Sequence, residues 1–130
     1  IGHQAQFALA RPGVQAEGVA RLVTAVRGHN PDALYLCDPV IGDRGGLYVP
    51  EAIAEAIRDT LVPLASIVTP NRFELAWLAD RELSSNNDII DAATSLGREQ
   101  VLTTSAFPYM AGSTGNLLLH DGQAWLAEHR

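Results

Sequence analysis

One cysteine, no lysine and no long apolar run narrow the possibilities for this 130-residue chain before any motif is considered. Cys37 alone can form neither an internal disulfide nor a thiolate metal cluster, which suits a reducing compartment such as the cytoplasm. All nine basic residues are arginines, scattered singly, and the net charge is −6. Nucleic acid is therefore not expected as a partner, because affinity for a phosphate backbone rests mainly on clustered basic side chains. The apolar stretches are far too short to span a bilayer, and no charged-then-apolar leader opens the chain, so neither membrane insertion nor secretion is expected. Repeats and low-complexity tracts are also missing. His3, His29, His120 and His129 show no metal-ligand spacing and read as surface residues.

What is present is the composition of a globular protein, 47% hydrophobic and 18% charged. The length suits one domain spanning residues 1–130. Residues 15–27 place Val19, Leu22, Val23 and Val26 at helical spacing. Asn30-Pro31-Asp32 breaks that helix, since the residue before proline disfavours the helical region. Residues 33–37 form a short apolar run of the kind expected for a strand buried on both faces. A loop rich in proline and glycine follows, and then Pro50 opens a second helix with Ala52, Ile53, Ala56, Ile57 and Leu61 on one stripe. Residues 66–69 and 100–104 read as further buried strands, with helices over 71–79 and 88–96 between them. Residues 115–119 and 124–127 flank Asp121-Gly122, a strong hairpin signal. The expected class is α/β: a mostly parallel sheet flanked by helices, with a C-terminal antiparallel hairpin at its edge.

In such sheets ligands bind outside the carboxyl ends of the strands. Asp38, and then Asp43 in a glycine-containing loop, follow the first strand. Thr69, Asn71 and, one turn into the helix, Glu74 follow the second; Thr104 and Ser105 follow the third. Carboxylates with hydroxyls and an amide supply the hard oxygen ligands that magnesium prefers. Loop glycines and a helix N-terminus suit phosphate oxygens. Each element also has a plainer reading. Asn71-x-x-Glu74 resembles a capping box, Asp38-Pro39 a turn, and Gly45-Gly46 simple loop geometry. Cys37, Trp77 and Trp125 read as packing residues. Only the shared position of the polar groups behind successive strands favours a site.

The string Leu34-Tyr35-Leu36-Cys37-Asp38-Pro39-Val40-Ile41-Gly42-Asp43 resembles the strand and loop of pyridoxal kinases, members of the ribokinase-like superfamily. Leu47-Tyr48-Val49-Pro50 resembles the segment that closes this loop, and residues 62–75, with Thr69-Pro70-Asn71-Arg72-Phe73-Glu74, resemble the next strand and helix. The resemblance implies ATP-dependent phosphorylation of the 5′-hydroxyl of pyridoxal, pyridoxine or pyridoxamine by a cytoplasmic homodimer, with ATP and Mg2+ as cofactors. It implies that Asp38 lies by the ATP phosphates and their metal, and that Asp43 and Tyr48 belong to the shielding loop. Thr69 and Asn71 would line the phosphate side, Glu74 would act on magnesium through water, and Thr104 with Ser105 would contact the phosphates. The general-base aspartate of the family's Gly-x-Gly-Asp segment has no counterpart here and is expected beyond Arg130, so no catalytic residue is assigned and the chain alone is expected to be incomplete for catalysis. The acceptor half has no match either, except its edge near Gly2-His3. The alternatives are a hydroxymethylpyrimidine kinase of the same superfamily, a nucleotide-binding module without the base, and a plain α/β domain. Asp38 and Glu74 at opposite ends of the sheet would establish the last.

Overall fold

The computed structural model describes residues 13–130. Its first element, α1 (Val14–His29), covers the expected helix. The apolar stripe is not what packs, however. Leu22 is 64% exposed, and Val19 and Val26 are also open, whereas the small Ala16 is buried and Ala20 packs beside it. The helix is held at its other end by Arg27, which donates to Leu64 O at 2.6 Å, to Ser66 Oγ at 3.1 Å and to Ala33 O at 3.3 Å. Small residues permit the close approach, and one arginine satisfies three acceptors near the sheet.

Strand β1 (Leu36–Cys37) leads into a small hairpin of β2 (Gly42–Asp43) and β3 (Gly46–Leu47). Helix α2 (Glu51–Ala56) starts just after Pro50 and continues through a wider turn, where Val62 N–H reaches back to Ile57 O. Pro63, which has no N–H to give, closes this segment in a 3₁₀ turn (Val62–Leu64). Strand β4 (Ile67–Val68), α3 (Arg72–Ala79), α4 (Asn86–Ser95) and β5 (Gln100–Ala106) follow. The Ser85 hydroxyl caps α4 by accepting from Asp88 N–H, which starts that helix two residues before the expected position. Strands β6 (Thr114–His120) and β7 (Gln123–His129) complete the chain. Their turn places Asp121 at φ 56° and Gly122 at φ 74°, the left-handed pair that a tight hairpin demands of its two central residues.

The main sheet has the order β1-β4-β5-β6-β7. The pairs β1/β4 and β4/β5 are parallel, and β5/β6 and β6/β7 are antiparallel, so the hairpin adds at the edge as expected. Register places Cys37, Val68, Val101 and Leu119 in one row across four strands, with Thr103 and Leu117 opposite each other on the same face. These residues are buried against Ala16 of α1, Ala54 of α2, Leu75 and Leu78 of α3, and Ile89, Ala92 and Ala93 of α4. Among the described residues all four helices therefore supply core to one face of the sheet. The other face carries Leu36, Ile67, Leu102, Leu118 and Trp125. Leu36 is 53% exposed and Trp125 51%, while the three between them are half-buried. The expectation that residues 33–37 form a strand buried on both faces is thus corrected: the strand is only Leu36–Cys37, Leu34 before it is 76% exposed, and no helix of the described residues covers the face that carries Leu36. No helix among the described residues is long and apolar enough to cross a membrane.

Candidate functional site

The three parallel strands β1, β4 and β5 point the same way, so their carboxyl ends meet along one rim. Main-chain bonds carry the alignment past the strands themselves. Thr69 N–H donates to Cys37 O at 3.1 Å, Thr104 N–H donates to Pro70 O at 3.0 Å, and Asn71 and Thr104 form an isolated parallel bridge. Side chains follow: Thr69 Oγ1 donates to Asp38 Oδ1 at 3.1 Å.

A cavity of about 390 Å³ opens at this rim, lined by Asp38, Val40, Gly42, Tyr48, Thr69, Asn71, Glu74 and Thr104. Six of the eight residues expected from sequence meet there. Asp43 and Ser105 line the neighbouring cavity of about 800 Å³ with Arg44, Arg72 and Phe73, and Asn71 borders both. Asp38 and Glu74 lie on one cavity, not at opposite ends of the sheet, so the arrangement that would establish the plain-domain reading is not found. Gly2 and His3 lie outside the described residues.

The capping reading of Asn71 and Glu74 also holds. Asn71 Oδ1 accepts from Glu74 N–H at 2.8 Å, and Glu74 Oε1 accepts from Asn71 N–H at 2.9 Å. This reciprocal pair satisfies the first donors of α3 and fixes its N-terminus at the cavity wall. Glu74 is only 4% exposed, and no cationic side chain pairs with it among the described residues. Its second oxygen, Oε2, accepts from Ile41 N–H at 2.8 Å and Gly42 N–H at 3.3 Å. One carboxylate thus serves both as cap and as ligand of the loop after β1.

That loop has little slack. A Cβ on Gly42 would stand 2.6 Å from Gly46 O and 2.8 Å from Phe73 Cε1, so no side chain fits there. Asp43 accepts from Tyr48 Oη at 2.5 Å and from Gly45 N–H at 2.7 Å. The Tyr48 hydroxyl, and after it the Gly45 amide, hold the Asp43 carboxyl below the usual range; the same bond to Asp43 pushes the Tyr48 phenol up. On the far side, Ser105 sits at φ 56° where β5 bulges between Thr104 and Ala106. A left-handed non-glycine residue at a strand end is strained, and such strain gathers at functional sites.

Sequence reasoning passed over Gly42, Ile41, Arg44 and Arg72. The Pro-Val-Ile-Gly-Asp run did hold a signal for Gly42, since a glycine between two site residues marks close backbone approach. Nothing in the sequence signals that the Ile41 and Gly42 amides face a carboxylate 33 and 32 positions away. The packing reading holds for Cys37 and Trp77 but not for Trp125, which is 51% exposed. Cys37 is core, with burial pushing its thiol up, and Trp77 packs against the same cluster under the Arg58 guanidinium at 5.2 Å.

The donor set can be tested for magnesium. No group of three or more His, Cys, Asp or Glu residues that could hold a metal occurs among the described residues. Magnesium asks for less than that, since it keeps several waters and takes one or two carboxylates plus substrate phosphates. Asp38 and Glu74 on a rim with hydroxyls fit such an ion and do not fit an all-protein cage.

Carboxylates, hydroxyls and a capped helix N-terminus outside parallel strand ends are a donor set that suits phosphate groups in an α/β domain. The chain belongs to the phosphomethylpyrimidine kinase family, whose sequence model matches residues 13–128. Among curated relatives it is 36% identical to human pyridoxal kinase over 109 residues, covering 78% of this chain and 35% of that protein. It is 42% identical to a pyridoxal kinase of Rubrobacter xylanophilus over 105 residues, covering 78% and 36% respectively. In structure it is similar to the Leishmania donovani pyridoxal kinase solved with ADP and pyridoxamine, with a TM-score of 0.75 and 28% identity over 91% of this chain and 44% of that one. An ADP complex of Bacillus subtilis pyridoxal kinase matches with a TM-score of 0.63 and 26% identity, over 87% and 44%. The chain thus spans about a third of the length of the curated relatives and under half of the solved ones.

Proposed function

We propose that this chain carries the magnesium–ATP side of a kinase that transfers the γ-phosphate of ATP to the 5′-hydroxyl of pyridoxal and related B6 vitamers. The observation that carries the reading is the meeting of Asp38, Thr69, Asn71, Glu74 and Thr104 on one cavity at the ends of three parallel strands. Relatives named pyridoxal kinase, and solved kinases holding ADP with pyridoxamine or pyridoxine, support the substrate class. The family's own description names phosphomethylpyrimidine, which keeps a hydroxymethylpyrimidine acceptor as the second reading.

Phosphoryl transfer needs little covalent help from a protein; catalysis is mostly positioning and neutralisation of charge. Magnesium, when bound, supplies that neutralisation across the phosphate oxygens. Asp38 supplies a carboxylate to the metal side, oriented by the Thr69 hydroxyl. Thr69, Asn71 and Thr104 face the phosphates with hydroxyl and amide groups. Ser105 extends that wall into the adjoining cavity, and Asp43 with Tyr48 forms the loop that screens the phosphates. Glu74 would help to hold the metal, through water. The general base and the vitamer-binding residues belong to other parts of a longer, homodimeric, cytoplasmic enzyme, an expectation that rests on the resemblance.

The test is calorimetric titration of this chain with magnesium–ATP beside an Asp38→Asn variant. Loss of the carboxylate is expected to weaken binding by about tenfold or more, the scale of one hydrogen bond or contact to a charged group. Equal affinity in a folded variant would remove Asp38 from the metal side.

A further inference from the structure

We propose that Glu74 and Asn71 act together as a clasp on Gly42, positioning residues that set where the phosphate-screening loop sits; the functional part of this rests on the magnesium–ATP reading above. Gly42 is gripped at both its polar groups. Its N–H donates to Glu74 Oε2 at 3.3 Å, and its C=O accepts from Asn71 Nδ2 at 2.9 Å. The Phe73 ring closes against the place a side chain would occupy. Three residues of one helix start therefore hold a single glycine of a distant loop.

The grip is passed along the loop by short links. Ile41 N–H is shared between Pro39 O at 2.7 Å and Glu74 Oε2 at 2.8 Å, and Ile41 O accepts from Tyr48 N–H at 2.7 Å. Asp43 follows Gly42 directly and is bonded to the Tyr48 hydroxyl. Both screening residues thus hang from the two amides that Glu74 holds. Three main-chain donors, from Ile41, Gly42 and Asn71, occupy most of what a carboxylate can accept. A buried anion with no cationic partner is retained only because those donors satisfy it. Its first task is mechanical, and any pull on it from the cavity is felt by the loop.

A clasp and a metal ligand respond differently to substitution. Glutamine in place of Glu74 offers one carbonyl oxygen where the carboxylate offers two, so it can keep the cap or the loop amides but not both sets. Serine in place of Asn71 keeps an N-cap acceptor while losing the donor to Gly42 O. The experiment measures Gly42 amide exchange in wild type, Glu74→Gln, Glu74→Ala and Asn71→Ser, with ATP affinity in magnesium and in EDTA. Gly42 exchange is expected to rise about tenfold in the alanine variant, the scale of one lost hydrogen bond, and by less in the other two. ATP affinity is expected to fall in EDTA as well as in magnesium, because the loop shifts whether or not a metal is bound. Unchanged Gly42 exchange in Glu74→Gln and Asn71→Ser proteins that keep the wild-type circular dichroism would overturn the clasp, as would an affinity loss confined to magnesium. If Glu74→Ala does not fold, these two milder variants decide the matter. A wild-type chain that binds no nucleotide sinks the kinase reading instead, while the exchange arm still reads the clasp itself.

Discussion

Leu117 and Leu118 are chain neighbours of identical chemistry on β6, yet they inhabit different environments. Leu117 is 3% exposed, pressed against α3 and α4 through Leu75, Ile89 and Ala93. Leu118 points to the opposite face, half-buried between Leu102 and Trp125, with no helix of the described residues over it. The same division reaches β1, where Cys37 is buried and Leu36 exposed, but ends before β7, where Ala124 and Trp125 are both exposed. Strands in a parallel sheet are ordinarily buried on both faces and read as continuous apolar runs. Here the apolar composition of the strands records two apolar faces, while these helices cover one.

The sharpest way to break this comparison is a pair of truncations. Leu117→Ala is expected to cost about 2–5 kcal/mol, the range for a buried leucine leaving a cavity. Leu118→Ala is expected to cost about 1 kcal/mol or less, because most of what it loses is partial burial. Chemical denaturation of both variants checks this, and equal costs would mean that the open face is covered after all.

A smaller effect with the opposite sign sharpens the account of the covered face. Thr103 is fully buried beside Leu117, and its Oγ1 has no hydrogen-bond partner among the described residues. Thr103→Val replaces the orphan hydroxyl with a methyl group of similar size, and is expected to stabilise the chain by about 1 kcal/mol. A loss of stability on thermal melting would show that the hydroxyl finds a partner.

The smallest effect lies at the exposed rim, where hydrogen bonds are the larger causes of a shifted charge. Asp43 titrates below its ordinary range because Tyr48 and the Gly45 amide favour its ionised form. Its stabilising contribution is therefore present above the unfolded-state pKa and is lost as pH falls through the lower folded-state pKa. Tyr48→Phe removes the larger cause, so the Asp43 carboxyl should titrate at higher pH, nearer the ordinary value. Carbon-detected NMR titration of the side chain reads this directly. An unmoved midpoint would assign the shift to the Gly45 amide.

Much of the site was legible in the chain because it follows strand ends. Asp38, Thr69 and Thr104 each stand just past an apolar run, and parallel pairing alone brings such positions together. The Asn71–Glu74 spacing identified a capping box, and the box is present. Illegible were the long-range bonds. Glu74 could be expected to cap its own helix, but its hold on Ile41 and Gly42 arises only once β1 and α3 lie side by side. The stripe of Val19, Leu22 and Val26 misled for the same reason: periodicity reports that a helix has an apolar face, while packing decides whether that face or the Ala16–Ala20 edge enters the core.

By itself, then, the sequence determined what depends on near neighbours: the helices, the Asp121-Gly122 turn, the cap of α3 and the order in which polar groups follow strands. These rest on dihedral preferences and on hydrogen bonds spanning a few residues. Tertiary structure alone decided which sheet face is covered, which edge of α1 packs, and that one buried carboxylate holds a loop 32 residues upstream. Burial and long-range hydrogen bonds depend on what lies opposite in space, and the chain records that only through its complete fold.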